Sequence, residues 1–174
     1  MRIVSGKHSG RKINPPVNLP VRPTTDRAKE ALFSIIDSRY YFQEKNVLDL
    51  FSGTGNISFE FSSRGVEEII AVDNNSKCIH FIEKTKEELN LNINTVQSEC
   101  IKYLTNCKKQ FNFIFADPPY SYDDYQKMKD LILKNNLIKK EGCLIIEHDH
   151  KTSFKDENVE VRKYGAVHFS IFSF

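Results

Sequence analysis

The segment Asp117-Pro118-Pro119-Tyr120 places a carboxylate, two residues without amide hydrogens and an aromatic ring in four consecutive positions, directly after the apolar run Phe113 to Ala116. The prolines stiffen the turn and leave the carbonyls of Asp117 and Pro118 without ready helical partners. The result is a rigid cluster of hydrogen-bond acceptors. A fitting donor is the exocyclic amine of a nucleobase, a poor nucleophile because its lone pair is delocalised into the ring. If the Asp117 side chain and the Pro118 carbonyl accept both amine hydrogens, the nitrogen becomes pyramidal and its lone pair can face a methyl donor. Tyr120 can stack on a base lifted out of its helix. Asp117, Pro118, Pro119 and Tyr120 are therefore the candidate catalytic residues.

A second cluster is Asp49-Leu50-Phe51-Ser52-Gly53-Thr54-Gly55, at the point where an apolar run turns into a helical pattern. Glycines there allow close backbone approach to a ligand and leave helix N–H groups available. A dinucleotide fingerprint needs Gly or Ala where this chain has Ser58, which disfavours a nicotinamide cofactor. Asp49 beside the turn suits a cation instead, such as the ammonium end of S-adenosylmethionine. Val72-Asp73-Asn74 follows 18 residues after Gly55, where an acid can accept the ribose hydroxyls of an adenosine. Ser98-Glu99-Cys100 can receive the adenine amine through Glu99. Both acids are equally ordinary as helix caps. With Phe51 above the ligand, the candidate cofactor residues are Asp49, Phe51, Gly53, Gly55, Asp73, Asn74, Glu99 and Cys100.

These segments share one edge if the chain folds as alternating strands and helices. Apolar runs at 46–51, 68–72, 93–96, 112–116 and 143–147 alternate with helical patterns near 55–64, 75–89, 99–107 and 122–135. That alternation predicts a mostly parallel sheet with helices on both faces, whose ligands bind at the carboxyl ends of the strands. Residues 159–163 and 166–174 read as a terminal antiparallel hairpin around Tyr164-Gly165. Ahead of the sheet, residues 2–5 and 11–13 suggest a small hairpin. Ala28, Ala31, Leu32, Ile35 and Ile36 follow as the stripe of an amphipathic helix.

The chain has 174 residues, 40% hydrophobic and 28% charged, as expected of a soluble chain of single-domain size. No apolar run approaches a membrane span and the N-terminus does not read as a secretory leader, so a cytoplasmic location is expected. Cys78, Cys100, Cys107 and Cys143 read as reduced structural thiols. The five histidines read as neighbours of solvent or RNA, with no metal expected. No G-x-S-x-G elbow or P-loop is present, which removes hydrolase and nucleoside triphosphatase readings. Residues 1–30 carry seven Lys or Arg against two acids, net +5, while the remainder is −3. A basic arm on a slightly acidic body is the asymmetry expected where one end meets a polyanion.

The two motifs together resemble the class I S-adenosylmethionine-dependent amino-methyltransferases. The flanks resemble the bacterial RsmD family more specifically. They are Arg2-Ile3-Val4-Ser5-Gly6 with Gly10-Arg11-Lys12, Arg22-Pro23-Thr24-Thr25-Asp26-Arg27 running on to Phe33, Ser63-Arg64-Gly65, Glu147-His148-Asp149 and Tyr164-Gly165. This resemblance covers essentially the whole chain. It implies a Rossmann-like seven-stranded sheet (residues 41–174) preceded by a small N-terminal basic hairpin and helix (residues 1–40) that bind RNA. It also implies methylation of the N2 amine of one guanine in 16S ribosomal RNA, with S-adenosylhomocysteine as product. The expected RNA contacts are Arg2, Lys7, Arg11, Lys12, Arg22 and Arg27, the substrate a small-subunit particle, and the enzyme a monomer. Deleting residues 1–13 is then expected to weaken RNA binding while sparing the cofactor. The chain departs from the family pattern at Ser9, where a basic residue is frequent, and at Glu99, where Asp is usual. The rival readings are a DNA adenine-N6 methyltransferase and a catalytically silent RNA-binding assembly factor.

Overall fold

The structure, a computed structural model, describes residues 1–16, 19, 25–156 and 159–174; the expected RNA contact Arg22 lies outside them. The first helix, α1 (Asp26–Asp37), is capped by Thr25, whose hydroxyl accepts from Ala28 N–H at 3.2 Å. It buries Ala28, Leu32, Phe33 and Ile36, a stripe one step round from the sequence expectation, with Ala31 and Ile35 only half-buried. Then follow β1 (Asn46–Leu50), α2 (Asn56–Ser63), β2 (Glu68–Asp73), α3 (Ser76–Leu89), β3 (Ile93–Gln97), α4 (Cys100–Asn106), β4 (Phe111–Ala116), α5 (Tyr125–Lys134), β5 (Ile138–His148), β6 (Glu160–Tyr164) and β7 (Val167–Ser173).

The seven strands form one sheet in the order β3-β2-β1-β4-β5-β7-β6. β1 to β5 pair in parallel, and β7 runs antiparallel to both β5 and β6. Strand order therefore reverses between β1 and β4, and the crevice above such a switch is where ligands bind in open α/β sheets. Alternation along the strands divides the core between two faces. Val47, Ile69, Phe113 and Ile145 pack with α1, α2, Ile3 and Ile13 on one face, and Leu48, Ile114, Leu144 and Ile146 pack with Leu104, Met128 and Ile132 on the other. The described residues contain no helix long and apolar enough to cross a membrane.

Two elements differ from the pattern read in the sequence. β5 begins at Ile138, five residues before the expected 143, because its first half carries Lys139, Lys140 and Glu141 and reads as a loop. The pairing with β4 shifts register there, and a Cβ on Gly142 would lie 2.7 Å from both Ile138 Cγ2 and the Lys139 carbonyl oxygen. A side chain would not fit at that close approach. α5 begins at Tyr125 rather than 122, since Tyr122 N–H instead donates to the Pro119 carbonyl at 2.8 Å.

The N-terminal hairpin is reduced to one antiparallel bridge, Arg2 to Lys12, fastened from below by a closed ionic cluster. Glu60 on α2 accepts from the N–H groups of Val4 (2.8 Å) and Ser5 (3.0 Å) and from Arg64 Nε (2.8 Å). Lys29 Nζ lies 3.4 Å from Glu60 and donates to the Arg2 carbonyl (2.6 Å) and to Asn56 Oδ1 (2.8 Å). Lys29 and Glu60 are both wholly buried. A buried charge that loses its partner is strongly destabilising. Lys29→Met is expected to lower unfolding free energy by about 3 kcal/mol, read as a reduced urea midpoint. Because Ile3 and Ile13 are core residues, deletion of residues 1–13 would open this face rather than remove a detachable arm.

Candidate active site

The carboxyl ends of β1 to β4 enclose a cavity of about 680 Å³, within the size range of sites for small molecules and cofactors. Asp49, Phe51 and Gly53 reach it from the β1 turn, Asp73 and Asn74 from β2, Glu99 and Cys100 after β3, and Asp117, Pro118, Pro119 and Tyr120 after β4. Gly55, also expected there, does not line it. Gly55 has φ +76° as the N-cap of α2, and a Cβ on it would meet Phe59 and Ile82 at 2.9 Å. The tight, packed turn by itself requires glycine there.

Each acid is held differently. Asp73 accepts from Gly53 N–H through Oδ2 and from Asn75 N–H through Oδ1, both at 2.8 Å, so it braces the glycine turn against β2. Glu99 is the N-cap of α4, accepting from the N–H groups of Ile101 (2.9 Å) and Lys102 (2.8 Å). The capping role weighed for Glu99 in the sequence is thus present, and each carboxylate oxygen has a further lone pair for a ligand. Asp49 is buried and accepts from the Ser58 hydroxyl at 2.5 Å. Burial pushes its carboxyl up to about 7; the Ser58 hydrogen bond opposes this and the nearby Asp117 adds to it.

Around the Asp117 corner the backbone is constrained. Asp117 N–H donates to the Leu50 carbonyl at 3.3 Å, Pro118 is buried, and the Tyr120 ring is 48% exposed at the cavity mouth. Phe51 has φ +60°, a strained value for a non-glycine residue, and its ring meets Tyr122 edge-on with centroids 5.1 Å apart. The cavity also takes in residues that the sequence reading did not single out, among them Ser52, Thr54, Asn56, Ser98, Phe115 and Tyr122. Ser52 and Thr54 stand inside the glycine motif and Tyr122 two places after Tyr120, so proximity was the available signal. The buried Ser52 Oγ has no hydrogen-bond partner among the described residues, as befits a group that meets a ligand. Carboxylates for an ammonium group and a diol, a neutral hydroxyl and aromatic walls together suit a cationic amino-acid nucleoside.

Arg2, Lys7, Arg11, Lys12 and Arg27 are exposed, with Arg2 paired to Glu30 at 2.7 Å. The histidine reading needs correction. His148 and His168 are buried, and His148 Nε2 bonds to Ser170 Oγ at 2.8 Å, because both residues fall on the paired strands β5 and β7. Burial lowers the His148 pKa. Among the described residues no group of three or more His, Cys, Asp or Glu is placed to hold a metal.

The raised Asp49 pKa fixes a pH dependence. The folded state holds the proton that the unfolded chain releases near 4, so stability relative to a neutral isostere is greatest below about 4. It falls as pH rises and levels off above about 7. Asp49→Asn is expected to unfold at a similar temperature to the native protein at pH 4 but at a higher one at pH 8.5. The gap should be at most roughly 4 kcal/mol, measured by calorimetry without ligand.

Known proteins share this architecture. The Bacillus subtilis (strain 168) protein YlbH is 31% identical over 182 residues, covering 99% of this chain and 98% of that one. Ribosomal RNA small subunit methyltransferase D of Buchnera aphidicola subsp. Baizongia pistaciae (strain Bp) is 30% identical, with 86% of this chain and 76% of that protein covered. The 16S rRNA N2 methyltransferase RsmC of T. thermophilus, solved with AdoMet and guanosine, superposes with a TM-score of 0.72 at 14% identity. That match covers 88% of this chain and 44% of RsmC, and so speaks for the class I methyltransferase fold. Residues 1–173 match the family described as Conserved hypothetical protein 95, and the chain belongs to this RsmD family of methyltransferases.

Proposed function

We propose that the protein transfers a methyl group from S-adenosylmethionine to the N2 amine of a guanine in the 16S ribosomal RNA of the small subunit. One observation carries the reading: the Asp117 to Tyr120 corner opens into the same cavity as Asp49, Gly53, Asp73 and Glu99. An acceptor cluster for an amine thus stands beside a site of the right chemistry for a sulfonium nucleoside. The names of relatives as ribosomal RNA small subunit methyltransferases support RNA as the substrate class.

In this reading Asp49 faces the ammonium group of the cofactor, Asp73 the ribose hydroxyls and Glu99 the adenine amine. When bound, the cofactor supplies an electrophilic methyl group, so no covalent bond to the enzyme is needed. Tyr120 stacks on the extruded base. Asp117 and the Pro118 carbonyl accept from the two amine hydrogens and orient the lone pair toward the methyl carbon. The acceptors strengthen as the nitrogen becomes positive in the transition state, which is where their contribution to rate lies. Arg2, Lys7, Arg11, Lys12, Arg22 and Arg27 neutralise phosphates.

A DNA adenine-N6 methyltransferase would use the same corner but requires room to read its target sequence; the RNA names of the relatives favour the first reading. A silent assembly factor would have no reason to keep an acceptor corner opening into the cavity. Asp117→Ala is expected to reduce kcat by at least about 100-fold while leaving thermal stability and S-adenosylhomocysteine affinity close to native. Wild-type turnover by that variant would remove Asp117 from the mechanism. The base itself is checked by mass spectrometric mapping of small-subunit rRNA from cells with and without the gene. One N2-methylguanine is expected to disappear in the deletion strain, and an unchanged map would overturn the assignment.

A further inference from the structure

A second concavity, of about 820 Å³, lies between the N-terminal hairpin and α3. One wall is residues 11–14 with Pro16, and the other is a stripe along α3 that includes Lys77, Phe81, Lys84 and Glu88. This stripe follows from helical spacing, since Cys78, Ile79 and Ile82 turn the opposite side of α3 into the core. The groove is strongly cationic: Arg11, Lys12, Lys77 and Lys84 face one acid, Glu88. All four cations are exposed, and among the described residues Arg11, Lys12 and Lys77 form no ion pair. Lys84 meets Glu88 only loosely, at 3.9 Å. His80 and the half-buried Phe81 add rings between the charges.

The groove adjoins the cofactor cavity. Asn75, the N-cap of α3, lines the cavity, and the next residue, Ser76, lines the groove. We propose that this groove is the track for the RNA backbone flanking the target base, with Lys77 and Lys84 of α3 as phosphate contacts opposite Arg11 and Lys12. The proposal rests on the reading of the protein as an RNA methyltransferase and extends the RNA surface from the basic arm onto the catalytic sheet's own helix. Cations interleaved with rings, in a cleft rather than on a convex face, fit a single strand whose phosphates need neutralising and whose bases need stacking partners.

The test uses the full-length double variant Lys77→Gln with Lys84→Gln, binding naked small-subunit rRNA over a range of salt concentrations. Two lost phosphate contacts should flatten the slope of log affinity against log salt by about 1.5 and weaken binding about 10-fold at moderate salt. The Lys77→Arg, Lys84→Arg variant should restore both, and native S-adenosylhomocysteine affinity in each variant would show an intact fold. Native affinity and salt slope in the glutamine variant would overturn the groove. So would a loss seen only with assembled particles and not with naked rRNA, which would mean that the groove meets protein. If the native protein bound S-adenosylhomocysteine but no RNA, the underlying functional reading would fall as well.

Discussion

The site depends on the parallel pairing of β1 with β4. Asp49 stands opposite Phe115 in that ladder, and because side chains alternate with a period of two, Asp117 comes out on the same face one pleat higher. A slip of one residue would send the Asp117 corner to the opposite face of the sheet, away from the glycine turn after β1. Register is protected from such slips by burial on both faces: every residue of β4 is buried, with Phe113 and Phe115 in one cluster and Ile114 and Ala116 in the other. A strand buried on both faces has no solvent side to slip toward. Hydrophobic packing thus sets the relative position of the two carboxylates.

The same juxtaposition raises the energy of the ligand-free site. Asp49 has left water and has Asp117 and Asp73 as electrostatic neighbours, so its charged form is disfavoured until a cation arrives. Phe51 is held at positive φ beside it. Strain and desolvation concentrated at one strand end are tolerated because the surrounding sheet over-determines the backbone there. The preorganised turn then needs little rearrangement to receive a ligand, which is how a binding site converts folding energy into affinity.

How much of this could be read from the sequence followed from how local each feature is. Asp117 to Tyr120 and Asp49 to Gly53 are contiguous, and strand alternation alone placed them on one edge. Gly55 belongs to the same motif, but its contacts with Phe59 and Ile82 are made by residues that the motif does not contain. The first half of β5 was missed because three charged residues at a register shift carry no strand signal. His148 read as a surface residue because its burial depends on its partners in β7, contributed from the far end of the chain. Lys29 read as one more positive charge of the basic arm, although it is among the largest wholly buried side chains. Only the packing of α1 against α2 reveals its partner.

That buried lysine bears on how the arm and the catalytic sheet act together. Apolar side chains replacing Lys29 and Glu60 together could fill their volume with little loss of stability, but they could not bond the Arg2 carbonyl and the Asn56 amide oxygen. Glu60 in turn takes the N–H groups of Val4 and Ser5, which hydrophobic packing would leave unsatisfied. Asn56 lines the cavity at the strand ends, so one ammonium group joins the backbone of the arm to a wall of that cavity. If RNA draws on the arm and the cofactor on that wall, whatever effect one ligand has on the affinity of the other through the cluster must be matched in the reverse direction, since coupling between two sites is reciprocal. The cluster therefore has the position required of a link between the arm and the cavity wall, with Lys29 as its centre.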